Sequence, residues 1–304
     1  MQILEKNSNI ALSNKREIGM KLHKTLLLTL LLILTGFAKA QNKLALVIGI
    51  GDYPKESGWF KIHGDNDISI VTEMLEVNGF EQVQILSNKA ATKKGIMEAL
   101  NNLSKKAALG DVVYIHFSGH GQQITDLDGD EPDGYDEAWI PYDACKDYSG
   151  KYKGQNHIVD DELFDFLNQL RTKVGDKGKI IVVSDACHSG SGSRGDEDED
   201  VVRGVQERFE VPAERSVSEV KRETTAWLFV SACKAYQNNF EYRDSQGNYH
   251  GMLSYLLWEN RTAMSDATWQ EVMVTIDNRM LYVAKYPQQS QREGAPNTID
   301  EKLF

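Results

Sequence analysis

Two short stretches carry the side chains able to do covalent chemistry: "SGHG" at 118–121 and "VVSDACHSGSG" at 182–192. Each follows an apolar run, contains glycine and offers one reactive group, His120 in the first and Cys187 in the second. A thiol is only partly ionised at neutral pH, and an imidazole beside it acts as its base or stabilises its thiolate. Small neighbours let a peptide carbonyl approach backbone N–H groups, and those of Gly121 and Cys187 are the donors expected to stabilise an oxyanion. Zinc is disfavoured, because neither stretch supplies a Cys-x-x-Cys pair or a second ligand at metal spacing. His188, adjacent to Cys187, diverges from it and is read as structural. A lone cysteine after an apolar strand is more often core filler than nucleophile, so the weight rests on finding both motifs together.

Positioning these groups requires a scaffold. "LALVIGI" (44–50), "DVVYIHFSGHG" (111–121), "KIIVVSDAC" (179–187) and "TAWLFVSAC" (225–233) read as buried strands running into small residues. Between them lies a helix carrying Ile68, Val71, Met74 and Leu75, with Asn66 as its expected cap and Gly79 as its stop. A short strand near 83–86, a helix through Ile96, Leu100 and Leu103, an amphipathic helix over 160–174 and two helices within 251–286 complete the pattern. Alternating strands and helices predict an α/β fold with a mostly parallel central sheet and helices on both faces. Reactive groups gather at the carboxyl ends of such strands. His120 and Cys187 both sit there, 67 residues apart, a span that fits neighbouring strands.

The stretches "YIHFSGHGQQITDLDGDEPDGYDEAWIPYDA", "IVDDELFDFL" and "IIVVSDACHSGSG" closely resemble the metacaspase branch of the caspase-fold cysteine peptidases, bacterial members included. The resemblance is strong from Lys43 to His188 and weaker to Trp258. It implies a caspase-like fold, a Cys187–His120 dyad, cleavage of protein or peptide substrates after Arg or Lys, and stimulation by calcium. It also implies a basic-residue pocket built from Asp67, Ser118 and Asp185; a carboxylate two residues before the nucleophile is well placed for this on physical grounds. A helix N-terminal charge is the competing reading of Asp67. The implied calcium ligands are Asp136, Asp160, Asp161 and, two residues further along than the family spacing, Asp196; helix capping competes for Asp160 and Asp161. "DLDGDEPDG" resembles half an EF-hand loop without its closing Glu. Gly64 replaces a common cysteine, and "KAYQ" (234–237) departs from the family pattern. Two other classes stay open: a calcium-responsive binding or scaffold protein on this fold without turnover, and a related peptidase cutting after Asn or Asp.

The segment from Met20 has a basic start, an apolar stretch and Ala38-Lys39-Ala40, which predicts a signal peptide cleaved before Gln41 and export to the periplasm or medium. Residues 1–40 are then an N-terminal extension and signal peptide, and 41–304 one peptidase domain. Beyond residue 40 the chain carries 28 Lys and Arg against 43 Asp and Glu, a formal charge of −15. Such a surface repels nucleic acid and anionic membranes, so neither is an expected partner; a monomer is. Three cysteines cannot all pair within the chain, and Cys233 is expected in the core. Residues 193–224, without sustained periodicity, read as a long mobile surface connection. They contain Arg194, Arg203, Arg208, Arg215, Lys221 and Arg222, and self-processing is expected there.

Overall fold

Lys43–Gly49 (β1) buries six consecutive residues, because both of its faces are covered: Leu44, Leu46 and Ile48 enter one core and Ala45 and Val47 the other. The computed structural model describes residues 41–187, 201–212, 226–234, 236–294, 300 and 302–304. The signal segment and Arg194, Asp196, Arg215, Lys221 and Arg222 lie outside the described residues. Asn42–Phe304 form one compact unit.

After β1 come α1 (Asp67–Val77), β2 (Gln82–Ser87), α2 (Lys93–Lys106), β3 (Val112–Ser118), β4 (Gly121–Thr125), β5 (Tyr135–Trp139), β6 (Ile158–Val159) and α3 (Asp160–Val174). They are followed by β7 (Lys179–Asp185), β8 (Leu228–Ser231), β9 (Glu241–Arg243), β10 (Tyr249–Gly251), α4 (Met252–Glu259), α5 (Trp269–Val283) and β11 (Gln291–Glu293). The main sheet has the order β11-β8-β7-β3-β1-β2, parallel except for the edge strand β11. Helices α2 and α3 pack on one face through Ile96, Leu100, Phe166 and Leu170; α1, α4 and α5 cover the other through Val71, Met74, Leu256 and Ile276. This is the α/β architecture, with a mostly parallel central sheet and helices on both faces, expected from the alternation of elements. Beside the main sheet, β4, β5 and β6 form an antiparallel sheet, and β9 and β10 a hairpin.

Two expectations are corrected. Asn66 does not cap α1: its backbone is already helical, and its side-chain amide donates to Tyr249 O at 2.9 Å, tying the helix to β10. Gly79 does end that turn, at φ +81°, a conformation glycine adopts without strain. The second correction concerns 193–224. Within it, residues 201–212 are not a mobile surface connection: Val202, Arg203, Val205 and Phe209 are buried. What orders them is pairing with distant strands and ions, which leaves no local period in the sequence.

Candidate active site

Parallel pairing of β3 with β7 sets Ser118 opposite Asp185, and Gly119 N–H donates to Asp185 O at 3.4 Å. His120 and Cys187 each lie two residues beyond this matched pair, so sheet register alone brings the two motifs to one place. His120 is fully buried, stacked on Trp59 with centroids 4.8 Å apart and edge-on to Phe60 at 4.6 Å. Its backbone N–H donates to Tyr53 Oη. Its Nε2 lies 2.9 Å from Phe60 O. A carbonyl only accepts, so Nε2 carries the proton and Nδ1 is a bare lone pair; buried, Nδ1 makes no hydrogen bond. Burial, helped by the charges of Arg203 and Lys146 against the opposing pull of the Phe60 carbonyl, holds the imidazole down to about 3. The ring is therefore neutral across the physiological range, as a base must be.

Cys187 is buried, and its Sγ donates to Gln237 O at 3.0 Å. Cys233 is buried as expected, but at the site: its Sγ lies 3.5 Å from Cys187 Sγ. That hydrogen bond, and then burial, push the Cys233 thiol well above its ordinary value. Neither is in a disulfide, and nor is the half-buried Cys145. The Cys187 N–H donates to Arg203 O at 2.8 Å, and Gly121, first residue of β4, bridges to Gly204.

Asp67, Ser118 and Asp185 meet in one buried pocket whose occupant is Arg203. The guanidinium Nη1 lies 2.6 Å from Asp67 Oδ2 and 3.6 Å from Asp185 Oδ1, and Nε donates to Glu241 Oε1 at 3.1 Å. Ser118 Oγ donates to Asp67 Oδ2 at 2.7 Å, and Gly251 N–H to Asp67 Oδ1 at 3.0 Å. Asp185 accepts from Asn239 Nδ2 at 2.7 Å, Ser254 N at 2.8 Å and Ser254 Oγ at 2.6 Å. Burial alone would push the Asp67 carboxyl up; the Arg203 charge, with hydrogen bonds from His250, Arg203 and Ser118, overrides it and holds the group well below the usual carboxylate range. Burial likewise works against a charged Arg203, and Asp67, Asp185 and Glu241 outweigh it. Asp67 is thus both the first residue of α1 and a wall of the pocket.

Asp136 is buried on β5, and its Oδ1 has no hydrogen-bond partner. Carboxylate oxygens of Asp126, Asp130 and Asp136 lie within 4.8 Å of one another, as do those of Asp128, Asp130 and Asp161. Burial, then the charges of Asp160, Asp161, Asp126 and Asp128, push the Asp136 carboxyl up to about 8. A hard divalent cation relieves such a cluster, and an all-oxygen set suits calcium. Asp160 and Asp161 open α3, whose cap position is Val159, a residue without a capping group.

The sequence left unmarked Glu241, Asn239 and Ser254 in the pocket, Phe60 as the acceptor that sets the His120 tautomer, and the individual carboxylates Asp126 and Asp130 that lie close to Asp136. "DLDGDEPDG" was the one available signal for the last two. Glu241 sits in a three-residue strand with no motif around it.

Three buried histidines give the fold an acid limit. His116 is held down to about 4, and His120 and His157 to about 3, against an ordinary 6.5, with burial the first cause in each. Asp67, Asp185 and Arg203 act on His116, and Lys93 on His157. Because the folded values are the lower ones, the unfolded chain binds more protons between about 3 and 6.5. The part of the stability that these three histidines carry is complete above 6.5 and is lost as pH falls through that window, while the raised carboxyls of Asp136 and Glu137 act in the opposite sense. The thermal midpoint is expected to drop by about 5 °C or more between pH 7 and pH 5; an unchanged midpoint would contradict the assignment.

The family model described as the caspase domain matches residues 42–302. Metacaspase-1A of Neurospora crassa is 36% identical over 158 residues, covering 48% of this chain and 32% of that protein. Metacaspase-1B of Aspergillus fumigatus is 42% identical over 101 residues, covering 33% of this chain and 22% of that protein. The chain thus matches about a third or less of the length of these relatives. The crystal structure of a Geobacter sulfurreducens protein superposes with a TM-score of 0.59 at 22% identity, covering 86% of this chain and 98% of that one, a likeness of fold.

Proposed function

The chain belongs to the caspase-domain family of cysteine peptidases, and from that premise we propose that it is an endopeptidase cutting after Arg or Lys. The observation that carries this reading is the pocket: Asp67, Asp185 and Glu241 surround a guanidinium that is fully removed from solvent. Three carboxylates around one buried cation are costly for any neutral or acidic side chain to replace, which disfavours Asn or Asp in that position.

In the proposed reaction His120 Nδ1 takes the Cys187 proton and the thiolate attacks the carbonyl carbon. The Cys187 N–H, with that of Gly121, receives the developing oxyanion, and His120 returns the proton to the leaving nitrogen. Phe60 O keeps the imidazole in the tautomer this needs.

Calcium fits the carboxylate cluster. Asp126, Asp130 and Asp136, with Asp128 and Asp161 adjoining, would hold the ion, and Asp160 contributes charge close by. The cluster lies on the β4–β5 connection, and β4 begins with Gly121, so a bound ion stiffens the strand beside the nucleophile. Calcium is expected to raise the thermal midpoint at neutral pH by several degrees, and Asp136→Asn to remove most of that shift. The charged, apolar and small-residue run ahead of Gln41 supports export.

The reading is tested by hydrolysis of four peptides identical except for Arg, Lys, Asp or Asn before the cut, with and without calcium. Turnover of the Arg and Lys peptides alone supports it. Preference for Asn or Asp overturns the specificity, and no turnover of any peptide by folded, reduced protein returns the chain to a binding role.

A further inference from the structure

We propose that His116 is a positioning residue for the basic-residue pocket: the proton on its Nε2 turns the hydroxyls of Ser118 and Ser254 away from it, each onto one of the carboxylates that hold the cation. The inference rests on the pocket reading above and adds the group that sets its geometry.

Strand β3 places Tyr114, His116 and Ser118 on one face, because alternate residues of a strand point the same way. All three are buried, and α4 brings the buried Ser254 against them. The contacts form a branched chain. Tyr114 Oη lies 3.2 Å from His116 Nδ1, and His116 Nε2 lies 3.0 Å from Ser254 Oγ and 3.3 Å from Ser118 Oγ. The two serine oxygens are 3.3 Å apart.

Counting protons fixes the direction of every link. A serine hydroxyl has one proton to give. Ser118 gives its proton to Asp67 Oδ2 at 2.7 Å, and Ser254 gives its own to Asp185 Oδ2 at 2.6 Å, the two shortest contacts of the set. Both serine oxygens then face Nε2 as acceptors, so Nε2 carries the imidazole proton and shares it between them. Nδ1 is left as a lone pair, and the Tyr114 hydroxyl donates to it. A second proton on the ring is disfavoured: burial, helped by the Arg203 charge, outweighs the pull of Asp185 and Asp67 and holds the imidazole down to about 4. At neutral pH His116 is therefore a donor of one proton, with its other nitrogen satisfied.

A buried histidine with all its hydrogen bonds made is often no more than a member of the core. What sets His116 apart is the identity of its two acceptors. They are the hydroxyls that serve two different pocket carboxylates, one at the start of α1 and one at the end of β7. Without the Nε2 proton, two serine oxygens 3.3 Å apart have none between them, and the direct repair is for one hydroxyl to turn to the other and leave its carboxylate. That carboxylate loses a donor and shifts. A guanidinium, which meets Asp67 and Asp185 through Nη1 and Glu241 through Nε, is sensitive to such a shift. An ammonium, a compact charge with rotatable donors, is less so.

Three variants separate this role from mere filling of the core. His116→Gln carries an amide nitrogen as many bonds from Cα as Nε2 and keeps the donor. His116→Asn carries it as many bonds away as Nδ1, facing Tyr114 instead. His116→Phe keeps a ring and has no donor. Each is assayed on the Arg and Lys peptides, because neither KM nor the ratio of the two rates depends on the fraction of active protein in a preparation. The Phe and Asn variants are expected to raise KM for the Arg peptide about 10-fold or more and to lower the Arg-to-Lys preference at least about threefold, with Gln within about threefold of the unsubstituted protein in both. A second readout needs no turnover. In nitrogen-15 spectra of histidine-labelled protein at neutral pH, the ring signals lost in His116→Gln are expected to show a protonated Nε2 and a bare Nδ1. Unchanged KM and preference in the Phe and Asn variants, a loss in Gln equal to that in Phe, or a proton on Nδ1 overturns the inference and leaves the pocket reading intact. Unsubstituted protein that hydrolyses no peptide, or prefers Asn or Asp, removes the reading and the inference with it.

Discussion

Cys187→Ala is expected to lower hydrolysis of Arg and Lys peptides by at least about 10⁴-fold, with the fold intact. The size of the effect follows from the chemistry: no other group among the described residues is placed to replace the nucleophile in the same geometry. Cys233, 3.5 Å away, is the only nearby thiol, and its proton is held tightly once its hydrogen bond and burial are counted. Its backbone N–H is also not the one that meets the Arg203 carbonyl. Retention of a tenth of the activity in Cys187→Ala would move the nucleophile to Cys233. Stability should change little, since the sulfur's hydrogen bonds to Gln237 O and with Cys233 Sγ are contacts of modest net value.

The second large effect is expected from Asp185→Asn. The substitution keeps the shape of the side chain and removes its charge, yet it cannot be accommodated. Both oxygens of Asp185 face donors: Asn239 Nδ2 on one side, Ser254 N and Oγ on the other. An amide NH₂ must therefore meet a donor whichever way it turns. The Arg203 cation at the same time loses one of its three carboxylates. Breaking a buried charge pair from one side costs about 3–5 kcal/mol, so the protein is expected to lose stability on that scale. On Arg peptides kcat/KM should fall by about 100-fold or more while a peptide with a neutral residue before the cut changes far less. That contrast separates a specificity pocket from general misfolding, which would reduce both alike. Equal losses on the two peptides would count against the role given to Asp185.

Much of the scaffold was legible because burial on both faces leaves a plain mark. A strand covered on two sides must be apolar without interruption, as "LALVIGI" and "KIIVVSDAC" are, and a helix lying on such a sheet must show apolar residues at three- and four-residue spacing. The two reactive motifs were legible for a related reason. Both end strands that pair in register, so their placement follows from local pattern plus the rule that chemistry collects at strand carboxyl ends. The carboxylates at 67 and 185 came from motif likeness and the proximity of Asp185 to the nucleophile, and the fold brings the two together around one cation.

Other features had no local trace. Asn66 looked like a cap, since its type and position were right, but a hydrogen bond to a strand 183 residues away claimed its amide. Glu241 is one acid in a short polar strand, and its role exists only because Arg203 reaches it across 38 residues. Phe60 acts on His120 through a carbonyl oxygen that every residue possesses, so no side chain could have announced it. The sharpest case is the segment from 201 to 209, whose charge and lack of period read as a loop. By itself the sequence determined the alternating α/β scaffold, the strand ends bearing His120 and Cys187, and the acidic stretches suited to a cation. Only the tertiary structure decided that Arg203 fills the pocket and that its carbonyl rests on the Cys187 N–H. Hydrophobic period is a property of neighbours along the chain, whereas a buried ion pair and an added strand are relations between distant segments that exist only once the sheet has brought them together.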